Sequence, residues 1–362
     1  MKIIHVTGAP CAGGAEVYIK DLASSMVALG HDVCVVFISH NRDLGLSTDF
    51  EDRYLKDLSN NGVEFKFLEV RNRKNFIKGS LSLKVAVDDF DADVVHCHLY
   101  YAALYTLFLN CKIVYTHHNI KLGIHPLFYK LFLNSRIDRY IGICESCNEL
   151  IQNVSGRDCV KIYNGVSSGR LIAKNSYVTK NDFVQIIAVG RFNRQKGYET
   201  MFQVVEKLKS LTSAPFKLSI VGEGDPEYAS ELKELANKEG LVEQGMIEFL
   251  GCRTDVPELL SNSDIFIMTS RWEGLPIAQI EAVLTGLPMV VTDVGGCREI
   301  VESCDCGFVI SPSNVSEFAN ALRNLIENHT LRTKFAQSAR EKSYIFDVGV
   351  AAKEHVKVYK NL

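Results

Sequence analysis

Short unbroken apolar runs recur along this chain, each separated from the next by a helical pattern, and no other feature restricts its folding as much. In the first half the runs occupy residues 3–7, 33–39, 63–70, 94–98, 113–117 and 140–144; in the second, residues 184–189, 218–221, 247–250, 265–268, 289–292 and 308–310. A strand with one face in water alternates apolar and polar residues. A strand covered on both faces need not, so continuous runs point to parallel sheets sandwiched between helices. A helical pattern over 15–29, closed by Gly30, fills the first interval. Residues 167–183 turn polar and irregular and read as a linker. The order βαβα on both sides of it predicts two α/β domains, 1–166 and 184–345, and a length of 362 residues gives each room for its own core. Ligands of such sheets bind beyond the carboxyl ends of the strands, so chemistry is expected in the loops that follow them.

Composition narrows the function classes. A net charge of -3 gives no reason to expect nucleic acid as the main partner. The 11 cysteines are an odd number, and Cys34, Cys97, Cys111 and Cys144 lie in or beside apolar runs. This suggests buried, reduced thiols of a cytoplasmic protein rather than a disulfide framework. Residues 2–7 read directly as a first strand, so no signal peptide is expected ahead of the fold. The most apolar stretch, 102–116, is interrupted by Asn110 and Lys112 and is too short to span a bilayer. Any membrane contact is therefore expected to be peripheral.

Three loops carry candidate sites. The first, Gly8 to Glu16, places Gly13 and Gly14 at the start of a helix, where bare backbone N–H groups and the helix dipole favour a phosphate. It is neither a P-loop nor a dinucleotide fingerprint, and a simple tight turn is the alternative. The second, Gly190 to Gly197, follows the first strand of the second half. Its Arg191 and Lys196 can converge on one anion and stabilise a departing diphosphate; a solvated basic loop is the alternative. The third runs from Ser270 through Glu273, Gly274, Leu275, Pro276 and Ile277 to Glu281. Proline favours a first helical position, so a helix is expected to start near Pro276, with free N–H groups around Leu275–Ile277. Glu273 and Glu281 do not share a helix face, so they read as hydroxyl acceptors at two ends of a ligand rather than as an acid–base pair.

Metal and redox signals are weak. Cys144 and Cys147 lack a second ligand pair at zinc-ribbon spacing. The Asp89-Phe-Asp91-Ala-Asp93 run precedes a strand, whereas a nucleotide site needs its acids after one. No metal site is expected. His96 and His98 alternate along a strand and share a face; His98 is the better cleft candidate, with core packing as its alternative.

Taken as an ordered set, Gly13-Gly14-Ala15-Glu16, the Gly190-Arg191-x4-Lys196-Gly197 loop and Glu273-x7-Glu281 resemble the retaining glycosyltransferases of glycosyltransferase family 4, of the kind used in bacterial surface polysaccharide or glycolipid synthesis. Asp93-Val-Val-His96-Cys-His98, Thr116-His117-His118, Asn164-Gly165-Val166, Gly222-Glu-Gly224, Phe249-Leu-Gly251 and Gly295-Gly296-x-x-Glu299 agree in order, so the likeness covers nearly the whole chain. It implies the GT-B fold, two Rossmann-like domains facing across a cleft, with a last helix in 346–362 that crosses back to the first domain. On that likeness Gly13 and Gly14 meet the donor diphosphate and Arg191 and Lys196 neutralise it. Glu281 holds the ribose, while Glu273 and the Leu275–Pro276–Ile277 backbone hold the transferred sugar. His118 faces that sugar, and Cys252 and Arg253 lie against the base. The family implies no cofactor, no metal in the chemistry, and retention of the anomeric configuration. Tyr163 and Ser167 stand where relatives commonly carry proline and aspartate, which bears on the acceptor side.

The expected function is transfer of a sugar from a nucleotide diphosphate sugar, UDP favoured, to a glycan or lipid-linked glycan. A nucleotide-sugar epimerase of similar fold and a catalytically silent nucleotide-sugar binder are the alternatives. Two stretches bear on the acceptor. Residues 66–84 carry Lys66, Arg71, Arg73, Lys74, Lys78 and Lys84, and residues 121–136 mix Lys121, Lys130 and Arg136 with Leu127, Phe128, Tyr129, Phe132 and Leu133. Cations beside exposed aromatics suit an anionic membrane surface, and a core-facing helix with solvated lysines is the alternative.

Overall fold

The computed structural model describes residues 1–11, 13–68, 75–174 and 182–362; Arg71, Arg73 and Lys74 of the basic stretch, and residues 175–181 of the expected linker, lie outside the described residues. The chain forms two compact units, Met1–Val166 with Phe346–Leu362, and Ser167–Ile345.

The first unit holds seven strands: β1 Lys2–Thr7, β2 Asp32–Phe37, β3 Glu64–Phe67, β4 Val94–Cys97, β5 Lys112–His117, β6 Arg139–Gly142 and β7 Cys159–Lys161. They pair in the order β3-β2-β1-β4-β5-β6-β7, every pair parallel. The chain winds outward from β1 in both directions, so the β1/β4 boundary is the topological switch point, where ligands of open α/β sheets bind. β7 was not foreseen, because a three-residue strand is too short to leave a run.

Side chains alternate across this sheet. Ile4 and Val6 of β1, with Val95 and Cys97 of β4, join Leu83, Val87 and Phe90 of the helix Phe76–Phe90 in one core. His5 is paired in register with His96 on the opposite face. That face is covered by helix α1, Gly14–Ala28, and by the C-terminal helix Val348–Lys360, which packs on α1. Val166 anchors the returning chain: its N–H donates to the Phe346 carbonyl at 3.0 Å, and its carbonyl accepts from the Val348 N–H at 3.1 Å.

The second unit repeats the plan with β8 Val184–Val189, β9 Phe216–Val221, β10 Ile247–Gly251, β11 Ile265–Met268, β12 Met289–Thr292 and β13 Gly307–Ile310, ordered β10-β9-β8-β11-β12-β13 and parallel throughout. Ile186, Ala188, Ile220, Ile267 and Val290 pack against Phe202, Val205, Phe318 and Leu322 in its core. Residues Ser168 to Lys174, within the segment expected as a linker, pack on this unit: Lys174 is buried and ion-paired with Asp264 at 2.8 Å.

Candidate active site

In the second unit three loops at the carboxyl ends of β8, β11 and β12 are bonded into one surface. The Arg271 N–H donates to the Gln195 carbonyl at 2.7 Å, and the Thr269 hydroxyl donates to the Gly197 carbonyl at 3.0 Å. Gly197 has φ +62°, and a Cβ there would run into the Thr269 carbonyl, so glycine is what lets these two loops touch. Gly295 does the same for the third loop: its φ is +51°, and its missing Cβ leaves room for the Glu273 carbonyl. The next residue, Gly296, donates its N–H to the Gly274 carbonyl at 2.7 Å.

This frame holds Glu273, which is buried. One carboxylate oxygen accepts from Lys196 Nζ and from the Ser270 hydroxyl, each at 2.7 Å; the other accepts from Gln195 Nε2 at 3.2 Å. Lys196 and Glu273, expected to act on different parts of a ligand, are thus one ion pair. Arg191, expected to converge with Lys196, is exposed and makes no ion pair among the described residues. A carboxylate offers about four lone-pair positions and an ammonium three protons, so each partner keeps capacity for a ligand.

The helix beyond this loop spans Ile277–Thr285, with Pro276 as its N-cap rather than its first residue. Proline has no N–H, so the donors of that turn are Ile277 and Ala278, not the whole Leu275–Ile277 stretch. Glu281 lies in its second turn and is ion-paired with Arg170 at 2.8 Å. Cys252 and Arg253 are exposed after β10, and Arg253 forms a two-pronged pair with Asp255 at 2.6 and 2.8 Å. Gln195, Ser270 and Arg170 were not singled out from sequence. The first two lie inside motifs already noted, but neutral side chains there carry no signal of their own.

In the first unit Gly13 is the N-cap of α1 and Gly14 its first residue, and the Glu16 carboxylate of the first turn lies over Gly13. Nearby the sheet face under α1 carries a cluster of imidazoles. His5 Nδ1 lies 2.9 Å from His98 Nε2, and His98 Nδ1 lies 3.0 Å from His118 Nε2. His5 Nε2 is 3.4 Å from the Met26 sulfur. His96 is bonded on both nitrogens, to the Tyr359 hydroxyl at 2.6 Å and the Thr116 hydroxyl at 2.7 Å, while His355 Nε2 meets the Tyr18 hydroxyl at 2.8 Å. Burial penalises the imidazolium, pushing His5, His118 and His355 down to about 3 and His96 and His98 well below the usual range.

His5, His96 and His98 bring ligand atoms within 4.8 Å of one another. Both nitrogens of all three are engaged in the contacts above, so a metal ion would have to displace several of them. Cys144 and Cys147 are buried, belong to no disulfide and are not part of this group. His5, Met26, His355 and Tyr359 escaped the sequence analysis. The one signal was His5 in the middle of an apolar strand, on the face that pairing with β4 gives to His96.

The family model described as Glycosyltransferase Family 4 matches residues 12–170, and the one described as Glycosyl transferases group 1 matches residues 170–342. Campylobacter jejuni N,N'-diacetylbacillosaminyl-diphospho-undecaprenol alpha-1,3-N-acetylgalactosaminyltransferase is 28% identical over 237 residues, 65% of this chain and 60% of that protein. Escherichia coli UDP-Gal:alpha-D-GlcNAc-diphosphoundecaprenol alpha-1,3-galactosyltransferase is 29% identical over 177 residues, 49% of this chain and 45% of that one. The matches thus span about half of these two relatives. The crystal structure of Anabaena HepE in complex with UDP and glucose superposes with a TM-score of 0.81 at 20% identity, covering 100% of both chains. Matched by the two models over residues 12–342 and carrying two parallel-sheet Rossmann-like units, the chain belongs to glycosyltransferase family 4 and has the GT-B fold.

Proposed function

We propose that this protein transfers a sugar from a UDP-sugar to a lipid-linked glycan, with retention of the anomeric configuration and without a metal ion. The observation that carries the reading is the Lys196–Glu273 pair beside the open N-terminus of the helix Ile277–Thr285. One bond to Glu273 leaves Lys196 two protons for a phosphate oxygen, with Arg191 as a second cation. Glu273 retains a lone pair for a sugar hydroxyl, and the Ile277 and Ala278 N–H groups face charge that develops on the diphosphate. Glu281 takes the ribose in exchange for Arg170. Cys252 and Arg253 border the base, and Gly13 and Gly14 present N–H groups to the diphosphate. His118 meets the transferred sugar, and the acceptor attacks from the face the diphosphate leaves. The names of the Campylobacter jejuni and Escherichia coli relatives specify diphospho-undecaprenol substrates, and HepE was crystallised with UDP; both support the choice of ligands. The test is a product assay with a panel of nucleotide sugars, donor alone and donor plus lipid-linked acceptor, in EDTA. An acceptor-dependent α-linked product from an α-linked donor is expected. Conversion of donor alone would make the protein an epimerase, and restoration by manganese would overturn metal independence.

The acceptor side is read from the surface of the first unit. An apolar cavity of about 600 Å³ is lined by Phe76, Tyr100, Leu104, Ile124, Phe128 and Phe132. Ile77, Leu81 and Val85 form an exposed stripe along the helix Phe76–Phe90, whose first residue lines this cavity, and Leu127 and Leu131 are exposed in the segment that supplies Phe128 and Phe132, with Lys78 and Lys130 interleaved. The 121–136 stretch divides as its alternatives did: Tyr129 and Leu133 are fully buried and Arg136 caps backbone carbonyls, whereas Leu127, Phe128, Lys130 and Leu131 face outward. No helix among the described residues is long and apolar enough to cross a membrane. Docking on the anionic cytoplasmic leaflet, tail of the acceptor in the cavity, accounts for this combination. Vesicles containing anionic lipid should bind the protein less as salt rises, and Leu81→Asp with Leu131→Asp should abolish binding while leaving UDP affinity unchanged. Undiminished vesicle binding by that variant would leave a soluble acceptor.

A further inference from the structure

We infer that Met26, His5 and His98 form a hydrogen-bonded line whose purpose is to fix the tautomer of His118, keeping its Nδ1 bare as an acceptor for a hydroxyl of the reacting sugars; the hydroxyl's identity rests on the function proposed above.

The inference follows from the blind end of the line. A thioether sulfur has no proton and can only accept, so at 3.4 Å from Met26 the His5 Nε2 must be the one that carries hydrogen. A neutral imidazole has one N–H, which leaves His5 Nδ1 as an acceptor. Its partner at 2.9 Å, His98 Nε2, must therefore donate, and His98 Nδ1 becomes an acceptor in turn. At the next contact, 3.0 Å, His118 Nε2 donates. His118 Nδ1 is then left with a lone pair, and it is shielded from solvent with no hydrogen-bond partner among the described residues. The reverse order fails at both ends, because it sets a bare His5 Nε2 against sulfur lone pairs and leaves a His118 N–H buried without an acceptor. Neutrality of all three rings, on which the deduction depends, is secured by their burial.

His118 directly follows the carboxyl end of β5, where ligands of such sheets bind, so an unmatched acceptor there is a vacancy for ligand rather than a defect of the core. His5 and His98 sit deeper, on and just after the two strands of the switch point, and act only through His118. They are positioning residues. The two remaining rings are outside the line: His96 is closed by Tyr359 and Thr116, and His355 is bonded to Tyr18.

The experiment is a long-range ¹H–¹⁵N spectrum of the full chain labelled in histidine, near neutral pH, with wild type, Met26→Leu and His98→Phe compared. His5, His98 and His118 are expected to carry their proton on Nε2 in the wild type. Met26→Leu conserves volume but removes the acceptor, so a population of His118 protonated at Nδ1 should emerge although His118 is not adjacent to the change. The same variants should lose on the order of 10- to 100-fold in kcat, with KM for the nucleotide sugar and affinity for UDP changed far less. A merely structural line would lower stability and leave the His118 tautomer as it was. Nδ1–H on His118 in the wild type, or no tautomer response to either variant, would overturn the inference even if the transferase assay succeeds. Loss of the line's ¹⁵N pattern on adding zinc would overturn it in favour of a metal centre. An inactive chain with the expected tautomers would instead refute the proposed function.

Discussion

The two units build their candidate sites from the same device, loops at the carboxyl ends of parallel strands, yet fill them with opposite kinds of group. The second unit uses charge: Lys196 with Glu273, Arg170 with Glu281, and an exposed Arg191. Each of these ions keeps a partner or water, which is the condition for holding charge at a protein surface. The first unit uses neutral rings. Of the ten histidines only His329 belongs to Ser167–Ile345, and five of the others are gathered under α1 and the C-terminal helix. A neutral imidazole is buried at far lower cost than an imidazolium, and it offers a directional donor and a directional acceptor. The contrast sets a charged loop surface in one unit against a neutral hydrogen-bonding face in the other.

The largest expected effect is on acid stability. His5 and His355 are bare in the folded chain down to about pH 3, whereas in the unfolded chain they protonate near 6.5. Below 6.5 the unfolded state therefore binds more protons. Stability is independent of these rings above that pH and falls as pH drops toward 3, by about 1.4 kcal/mol per pH unit for each. The single tryptophan, Trp272, lies in the second unit and reports on it alone. In a titration from pH 7 to about 4, far-ultraviolet dichroism should show the first unit melting before Trp272 fluorescence changes. Coincident transitions would break the contrast.

Next in size, Lys196→Ala and Arg191→Ala should each lower kcat on the order of 10²–10³ by removing a cation from the departing diphosphate. Only the lysine variant should also unfold more easily, by about 1–3 kcal/mol, because it strands the Glu273 carboxylate. Equal stabilities of the two variants would show that the ion pair does not organise the loops. The smallest effects concern the ribose. Glu281→Ala should weaken UDP binding by about 1.5–3 kcal/mol in calorimetry. Arg170→Ala, which removes the competitor for Glu281, should instead tighten it by less than about 1 kcal/mol. Weakened binding in the arginine variant would make Arg170 a ligand contact rather than a placeholder.

Much of this molecule was legible in the residue order. Every strand but β7 left an apolar run in the sequence, as strands of sheets sandwiched between helices do, and Arg191, Lys196 and Glu273 fell in loops directly after such runs. Local chemistry also marked the helix start near Pro276, although proline's missing N–H moved the donors onto Ile277 and Ala278. What pattern could not supply was pairing between segments far apart in the chain. Nothing local ties Lys196 to Glu273 or Arg170 to Glu281; the first pair forms where glycines at 197 and 295 let their loops close on one another, and the second joins residues 111 positions apart.

The imidazole line is the sharpest case. Sequence determined that His5, His96, His98 and His118 stand on or just beyond strands, and strand periodicity put His96 and His98 on one face. Only the strand order, with β1 beside β4 and β4 beside β5, brought His5, His98 and His118 within hydrogen-bond reach of one another. Only the packing of α1 set Met26 against its far end. A tautomer depends on what the other nitrogen touches, and that is decided by tertiary neighbours, whereas hydrophobic periodicity is a property of the chain itself.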